Sequence, residues 1–282
     1  MSETDGAAKG KKETRVEREV ELNAPVEEVW KALTDPEELK RWFPLEARVT
    51  PPSGQTAEDG KIFLSWGGDC EGEAKIVAWE PNKRFAWKEE TALIEFTLEA
   101  RALRPSETGS GQGGKTILRL VQTGFMSGES WEDEWNESTS YGWEFMLLGL
   151  RWALERHRGV ERQVAWPRVK SALSREETYR RLMRAGGLFV EDAGIRLRAG
   201  ESYAMRSTIG ETFSGRVELR RERRGICVSV LELNDALLWL TIEGGPGKIE
   251  AQLWLSAFGV EAAKVEAFQR KWRDQLKKIF KK

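Results

Sequence analysis

The sequence predicts an α+β fold built twice in tandem, each copy a curved antiparallel sheet wrapped around one long C-terminal helix. Three observations carry this expectation. Between residues 61 and 123, short segments alternate apolar and polar positions, the pattern of antiparallel strands with one wet face. A helical stripe then runs through Trp143, Leu147, Leu150 and Leu154, at i, i+4, i+7 and i+11. The second half repeats the plan and ends on a second stripe, Val265, Phe268, Trp272, Leu276 and Ile279.

Residues 1–13 are mostly Gly, Lys, Glu and Ala without periodicity and read as a disordered tail. Thr14–Leu22 alternates, with Val16, Val20 and Leu22 apolar, and reads as a strand. Asn23 or Ala24 then caps a helix whose face is Val26, Val29, Trp30 and Leu33, with Pro25 in its first turn. Asp35-Pro36 ends it, and a second short helix starts at Pro36. Trp42 and Phe43 follow in a connection before Pro44. Pro51–Gly60 is a polar loop. Strands are expected at Lys61–Trp66, Gly72–Trp79, Arg84–Glu89, Leu93–Leu103 and Lys115–Thr123, with a Gly- and Ser-rich hairpin loop over Pro105–Gly114. The covering helix closes this first half. Phe145, Leu148 and Trp152 give it a second apolar side.

Residues 159–173 read as a linker. In the second half, Ser174 and Glu177 form a capping box for a helix ending at Gly186-Gly187. Strands are expected at Leu188–Glu191, Ile195–Arg198, Tyr203–Ile209, Gly215–Glu222, Ile226–Leu233, Ala236–Glu243 and Lys248–Ser256, and a helix at Val260–Phe280.

Composition limits the function. A chain of 282 residues suggests two domains at roughly 150 residues each. A net charge of -1, from 45 basic and 46 acidic residues, gives no general attraction to nucleic acid or anionic membrane. No apolar window approaches the roughly 18 residues of a membrane span, and the N-terminus lacks the apolar core of a secretory signal, so a cytoplasmic location is expected. Cys70 and Cys227 are expected as reduced, buried thiols, and neither they nor the single histidine, His157, form a metal site. His157 lies between Arg156 and Arg158 and reads as an exposed residue near a helix end. No cofactor is expected. The 13 tryptophans point to a large core or an aromatic-lined cavity.

Several stretches resemble a known family. VELNAPVEEVWKALTDPEELKRWF, CEGEAKIVAWEPNKRFAWKEE, and TILRLVQTGF followed by GWEFMLLGL are similar to the SRPBCC (START-like, helix-grip) superfamily, in the branch related to the C-terminal domain of the activator of the Hsp90 ATPase. The resemblance covers residues 14–158, and residues 174–282 resemble a diverged second copy. It implies a helix-grip fold, a sheet gripping the long helix around a deep apolar cavity. It also implies hydrophobic ligands for many members and cyclase activity for a few. Iron-binding motifs of the enzymatic members are missing.

By alternation, the inward set is Ile62, Leu64, Trp66, Phe85, Trp87, Phe96, Leu118, Leu120 and Gln122 from the sheet, and Trp143, Leu147 and Leu150 from the helix. Trp42 and Phe43 are placed at its mouth. These residues make either a filled core or a ligand pocket. Gln122 favours the pocket, because an inward amide without a partner costs roughly 1–3 kcal/mol. The acidic run Glu129–Glu137 and the basic run Arg220–Arg224 read as solvated. The expected function is a non-enzymatic binding module for a small hydrophobic molecule. The alternatives are a chaperone-related interaction protein with a protein partner, or a cyclase- or hydrolase-type enzyme using the same cavity.

Overall fold

In the computed structural model, which describes residues 12–54, 59–68, 70–101, 114–127, 130–245 and 247–281, the chain divides into two units, 1–155 and 156–282. The first unit begins with β1 (Lys12–Leu22), α1 (Val26–Thr34) and α2 (Pro36–Leu39). A run of strands follows: β2 (Glu46–Thr50), β3 (Lys61–Ser65), β4 (Glu71–Glu80), β5 (Arg84–Lys88), β6 (Leu93–Arg101) and β7 (Lys115–Ser127). Helix α3 (Ser130–Glu155) closes the unit. The strands pair in the order β1-β7-β6-β5-β4-β3-β2, an antiparallel meander whose last strand returns beside the first.

Alternation decides what this sheet buries. Ile94, Phe96 and Leu98 of β6 point to one face, and the register sets Phe96 opposite Phe85 and Leu120. A sheet with one apolar face needs a cover, and α3 supplies it with Trp143, Leu147 and Leu150, all buried. Polar contacts fasten α3 to the start of the chain. Arg18 of β1 forms an ion pair with Glu144 at 3.1 Å, and Glu155 Oε1 accepts the Asn23 N–H at 2.8 Å. Asp35 caps α2, its Oδ1 accepting from the N–H groups of Glu37 and Glu38. The N-cap of α1 is Pro25 itself, without a side-chain cap bond, rather than Asn23 or Ala24.

The first unit departs from expectation at its margins. β2 has no fully buried residue and so carries no strong apolar alternation to read. α3 starts at Ser130, so Glu132, Asp133, Glu134 and Glu137 of the acidic run lie within the helix, and Glu132 is buried rather than solvated; Glu129 lies outside the described residues. Of the expected tail, residues 1–11 lie outside the described residues, while Lys12 and Glu13 already belong to β1. Most of the expected hairpin loop, residues 105–113, also lies outside them.

The second unit repeats the element order. It runs β8 (Arg162–Ala165), β9 (Arg168–Lys170), α4 (Arg175–Met183), α5 (Ala193–Arg196), β10 (Ser202–Arg206), β11 (Thr212–Arg221), β12 (Gly225–Val230), β13 (Ala236–Glu243), β14 (Glu250–Phe258) and α6 (Ala262–Phe280). β8 and β9 both pair with β14, and the meander continues to β10. They are one edge strand interrupted at Trp166-Pro167. Pro167 has no N–H to give a neighbour, but its carbonyl still accepts the Leu253 N–H at 2.9 Å. First strand beside last strand, two short helices, meander, covering helix: this is the architecture of the first unit with one meander strand fewer. The chain is therefore a tandem of two helix-grip units.

Three expectations for this half are corrected. Residues 159–173, read as a linker, contain β8 and β9, whose Trp-Pro interruption hides the strand. Ile195–Arg198 is not a strand, because Asp192 Oδ1 accepts the Ile195 N–H at 3.0 Å and starts the short α5. Leu188–Glu191 makes only an isolated bridge, Phe189 to Ser207. The helix start was legible: Ser174 Oγ accepts the Glu177 N–H at 3.2 Å.

Two side chains expected otherwise also bear on pH and redox behaviour. Cys227 is buried and its thiol is pushed well up by burial, but Cys70 is exposed, at the turn before β4. His157 is not an exposed cap. It lies past the end of α3, only 7% exposed, and stacks on Phe258 at 4.5 Å with the rings nearly parallel. Burial lowers its pKa below 6.5, opposed by an N–H bond to the Asp235 carbonyl and by the Asp235 charge. A histidine held neutral in the folded state stabilises it fully above the unfolded pKa. That stability is lost as pH falls from about 6.5 through the folded pKa. Urea denaturation across pH 7.5 to 5 is expected to show falling stability, with a His157 contribution of at most about 1.4 kcal/mol per pH unit. His157→Phe, which keeps the stack, is expected to flatten that slope; an unchanged slope would refute the assignment.

Candidate functional site

One end of the first unit's inner face is not filled. A cavity of about 240 Å3 opens there between the sheet and α3. The sheet contributes Leu64 from β3, Trp87 from β5, Ile94 from β6 and Gln122 from β7. Register explains the last three, since Ile94 lies directly opposite both Trp87 and Gln122. The connections contribute Phe43, Trp66 and, two residues beyond Trp87 on the same face, Glu89. From α3 come Thr139, Gly142, Trp143 and Met146, at i, i+3, i+4 and i+7.

Gln122 finds its acceptor's partner inside the site. The Trp143 indole N–H donates to Gln122 Oε1 at 2.5 Å. That bond leaves the amide NH2 of Gln122 as the group available to a ligand. The aromatic rings support one another: Phe43 stacks on Trp143 at 5.2 Å and 22°, and meets Trp66 edge-on at 5.1 Å and 86°. The Trp66 and Trp143 planes are therefore set steeply across each other. Trp87 packs against Phe85 and Phe96, and its buried indole N–H has no protein acceptor among the described residues.

Of the eleven residues selected from the sequence, the cavity lining unites Phe43, Trp66, Trp87, Gln122 and Trp143. The other six, Trp42, Phe96, Leu118, Leu120, Leu147 and Leu150, are buried in the core behind it. Trp42 is not at the mouth. It is 2% exposed, stacked on Phe43 at 5.0 Å, and its indole N–H donates to the Ala32 carbonyl at 2.8 Å. That carbonyl would ordinarily bond the N–H four residues on, but residue 36 is proline. Trp42 thus completes the end of α1.

Glu89, Thr139, Gly142 and Met146 were not selected from the sequence. Gly142 carried a signal, because a glycine inside a helix costs about 1 kcal/mol against alanine. The two glycines of α3 do different things. A Cβ at Gly149 would sit 3.4 Å from the Trp42 carbonyl oxygen, so that glycine allows close approach. A Cβ at Gly142 would meet nothing within 4 Å, so that glycine leaves space.

The lining offers one carboxylate, one amide and one hydroxyl on an aromatic wall, and no histidine, cysteine, lysine or arginine. Among the described residues, no group of three His, Cys, Asp or Glu is placed to hold a metal ion, and no helix is long and apolar enough to cross a membrane.

Residues 23–155 match the family model described as Activator of Hsp90 ATPase homolog 1-like protein. No curated protein matches the chain. Among solved structures, similarity extends to protein MLL2253 from Mesorhizobium loti, at 24% identity over 51% of this chain and 99% of that one, with a TM-score of 0.38. The Aha1 dimer from Colwellia psychrerythraea is similar at 21% identity over 52% and 99%, TM-score 0.38. The di-domain ARO/CYC BexL from the BE-7585A biosynthetic pathway is similar at 12% identity over 95% and 99%, TM-score 0.38. The match over residues 23–155 shows the first unit to be similar to the Activator of Hsp90 ATPase homolog 1-like family, and its meander, closed by the first strand around α3, is the helix-grip arrangement.

Proposed function

We propose that the first unit is a non-enzymatic binding module for a small hydrophobic molecule, held between the sheet and α3. The observation that carries this reading is the cavity itself. At about 240 Å3 it exceeds the roughly 150 Å3 apolar cavity that suffices to bind benzene. Its walls are mostly apolar, with four aromatic residues among them, and carry few polar groups, as in small-molecule sites. Glu89 is the single ionisable group of the lining. A lone rim carboxylate supplies no acid–base pair, so binding accounts for the site better than hydrolysis or cyclisation does.

Gly142 provides the test. Gly142→Leu sends a side chain into open space and improves helix propensity. The neutral dye N-phenyl-1-naphthylamine is expected to fluoresce with the natural protein and not with Gly142→Leu, while Gly142→Ala melts at or above the natural temperature. Dye binding that survives Gly142→Leu unchanged would remove the cavity from consideration. Native mass spectrometry of protein from its own cells would then identify a retained molecule by its mass difference.

A further inference from the structure

The charge pattern of the cavity narrows the class of ligand, on the assumption that the cavity does bind. Its single charged lining residue is Glu89, which has no ion-pair partner among the described residues. Two cations near this face are arranged differently. Arg18, on the inner face of β1, is neutralised by Glu144 of α3. Lys88 has the opposite strand parity to Trp87 and Glu89 and so projects to the outer face. An anionic ligand would therefore meet an unpaired, exposed carboxylate at the rim of the site, with no lysine or arginine in the lining to offset it. Fatty acids, phosphates and other acids are disfavoured on that ground.

The rings point the same way. Phe43 joins Trp66 and Trp143, whose planes cross steeply. An ammonium group is attracted electrostatically by aromatic rings, tryptophan most strongly, and crossed rings with a carboxylate nearby are a known way to hold it. Trp143 is kept in place by its bond to Gln122 Oε1. The same bond turns the Gln122 amide into a donor, fit for one oxygen acceptor on the ligand's body. We propose that the cavity selects a small lipophilic organic cation, a tertiary or quaternary ammonium, with its charge between Glu89 and the Trp66 and Trp143 rings.

Three benzyl probes decide this: benzyltrimethylammonium, its neutral carbon isostere neopentylbenzene, and the smaller anion phenylacetate. Each is titrated against full-chain protein loaded with N-phenyl-1-naphthylamine. The expected result is that the ammonium displaces dye at a concentration at least tenfold below the neutral isostere, and that phenylacetate is weakest. The preference should shrink as salt is raised, because the rim carboxylate is exposed. In Glu89→Gln the ratio of ammonium to isostere should fall toward one. Equal displacement by ammonium and isostere in the natural protein, with the dye still bound, would overturn the cation proposal and leave the binding module standing. Failure of the dye to bind at all would overturn the binding module, and this proposal with it.

Discussion

Gly124→Ala is expected to unfold the first unit. Gly124 lies in β7 at φ +94°, a conformation that side chains rarely adopt. A methyl group there would sit 2.0 Å from the Thr91 carbonyl oxygen and 2.9 Å from the Ala92 Cα. Both atoms are backbone of the turn between β5 and β6, closed by the Glu89 N–H to Ala92 carbonyl bond at 2.9 Å. Nothing flexible can yield, so the turn or the strand must move. A loss of about 4 kcal/mol or more is expected, a large share of the 5–15 kcal/mol typical of a folded domain. Urea denaturation should show the first unit's transition shifted far toward low denaturant or absent. A midpoint within a few tenths molar of the natural one would show that the β5–β6 turn is looser than described. The turn carries Glu89, so even folded molecules should bind the dye poorly.

Trp42→Ala is expected to lose about 3–5 kcal/mol by removing a fully buried indole. The loss has a second part. Phe43 stands between Trp42 and Trp143, stacked on both. Without Trp42 behind it, Phe43 can fall back into the vacated volume and the cavity loses a wall. Dye binding should therefore weaken even below the unfolding transition. Trp42→Phe separates the terms. It keeps a ring against Phe43 but leaves the Ala32 carbonyl without its donor, which should reduce stability by about 1 kcal/mol from the bond alone. Thermal melts and dye titrations of both variants check this. Full dye binding by a folded Trp42→Ala protein would show that Phe43 is held by Trp66 and Trp143 alone.

Period-two alternation told which side of each strand faces inward, and it did so for Ile62, Phe85, Trp87, Phe96, Leu118, Leu120 and Gln122 alike. Alternation does not tell whether the space in front of a residue is filled. Phe96 and Leu120 share the face of Trp87 but lie deeper under α3, where Leu147 and Leu150 fill the gap. The opening exists one turn away, where α3 presents glycine. A side chain that is missing leaves no apolar signal. Trp42 was misplaced for a related reason: its partner is the carbonyl left unbonded by Pro36, and that need is visible only when the helix end is traced bond by bond. In the second half, the first strand was lost because Trp166-Pro167 looks like connecting sequence, and only pairing with β14 shows that the strand resumes beyond it.

The pairing of β1 with β7 has a consequence for how the chain is made. Lys12 lies opposite Ser127, and Leu22 opposite Thr116. Among the described residues, the sheet partner of β1 is β7, which leaves the ribosome about a hundred residues later. Closing so long a loop carries an entropic penalty before any contact rewards it. The β2–β6 meander can assemble from hairpins as it emerges, but β1 must wait, and α3 is synthesised last of all. The same holds for β8 and β14 in the second unit. Order of synthesis and order of completion therefore run in opposite directions within each unit.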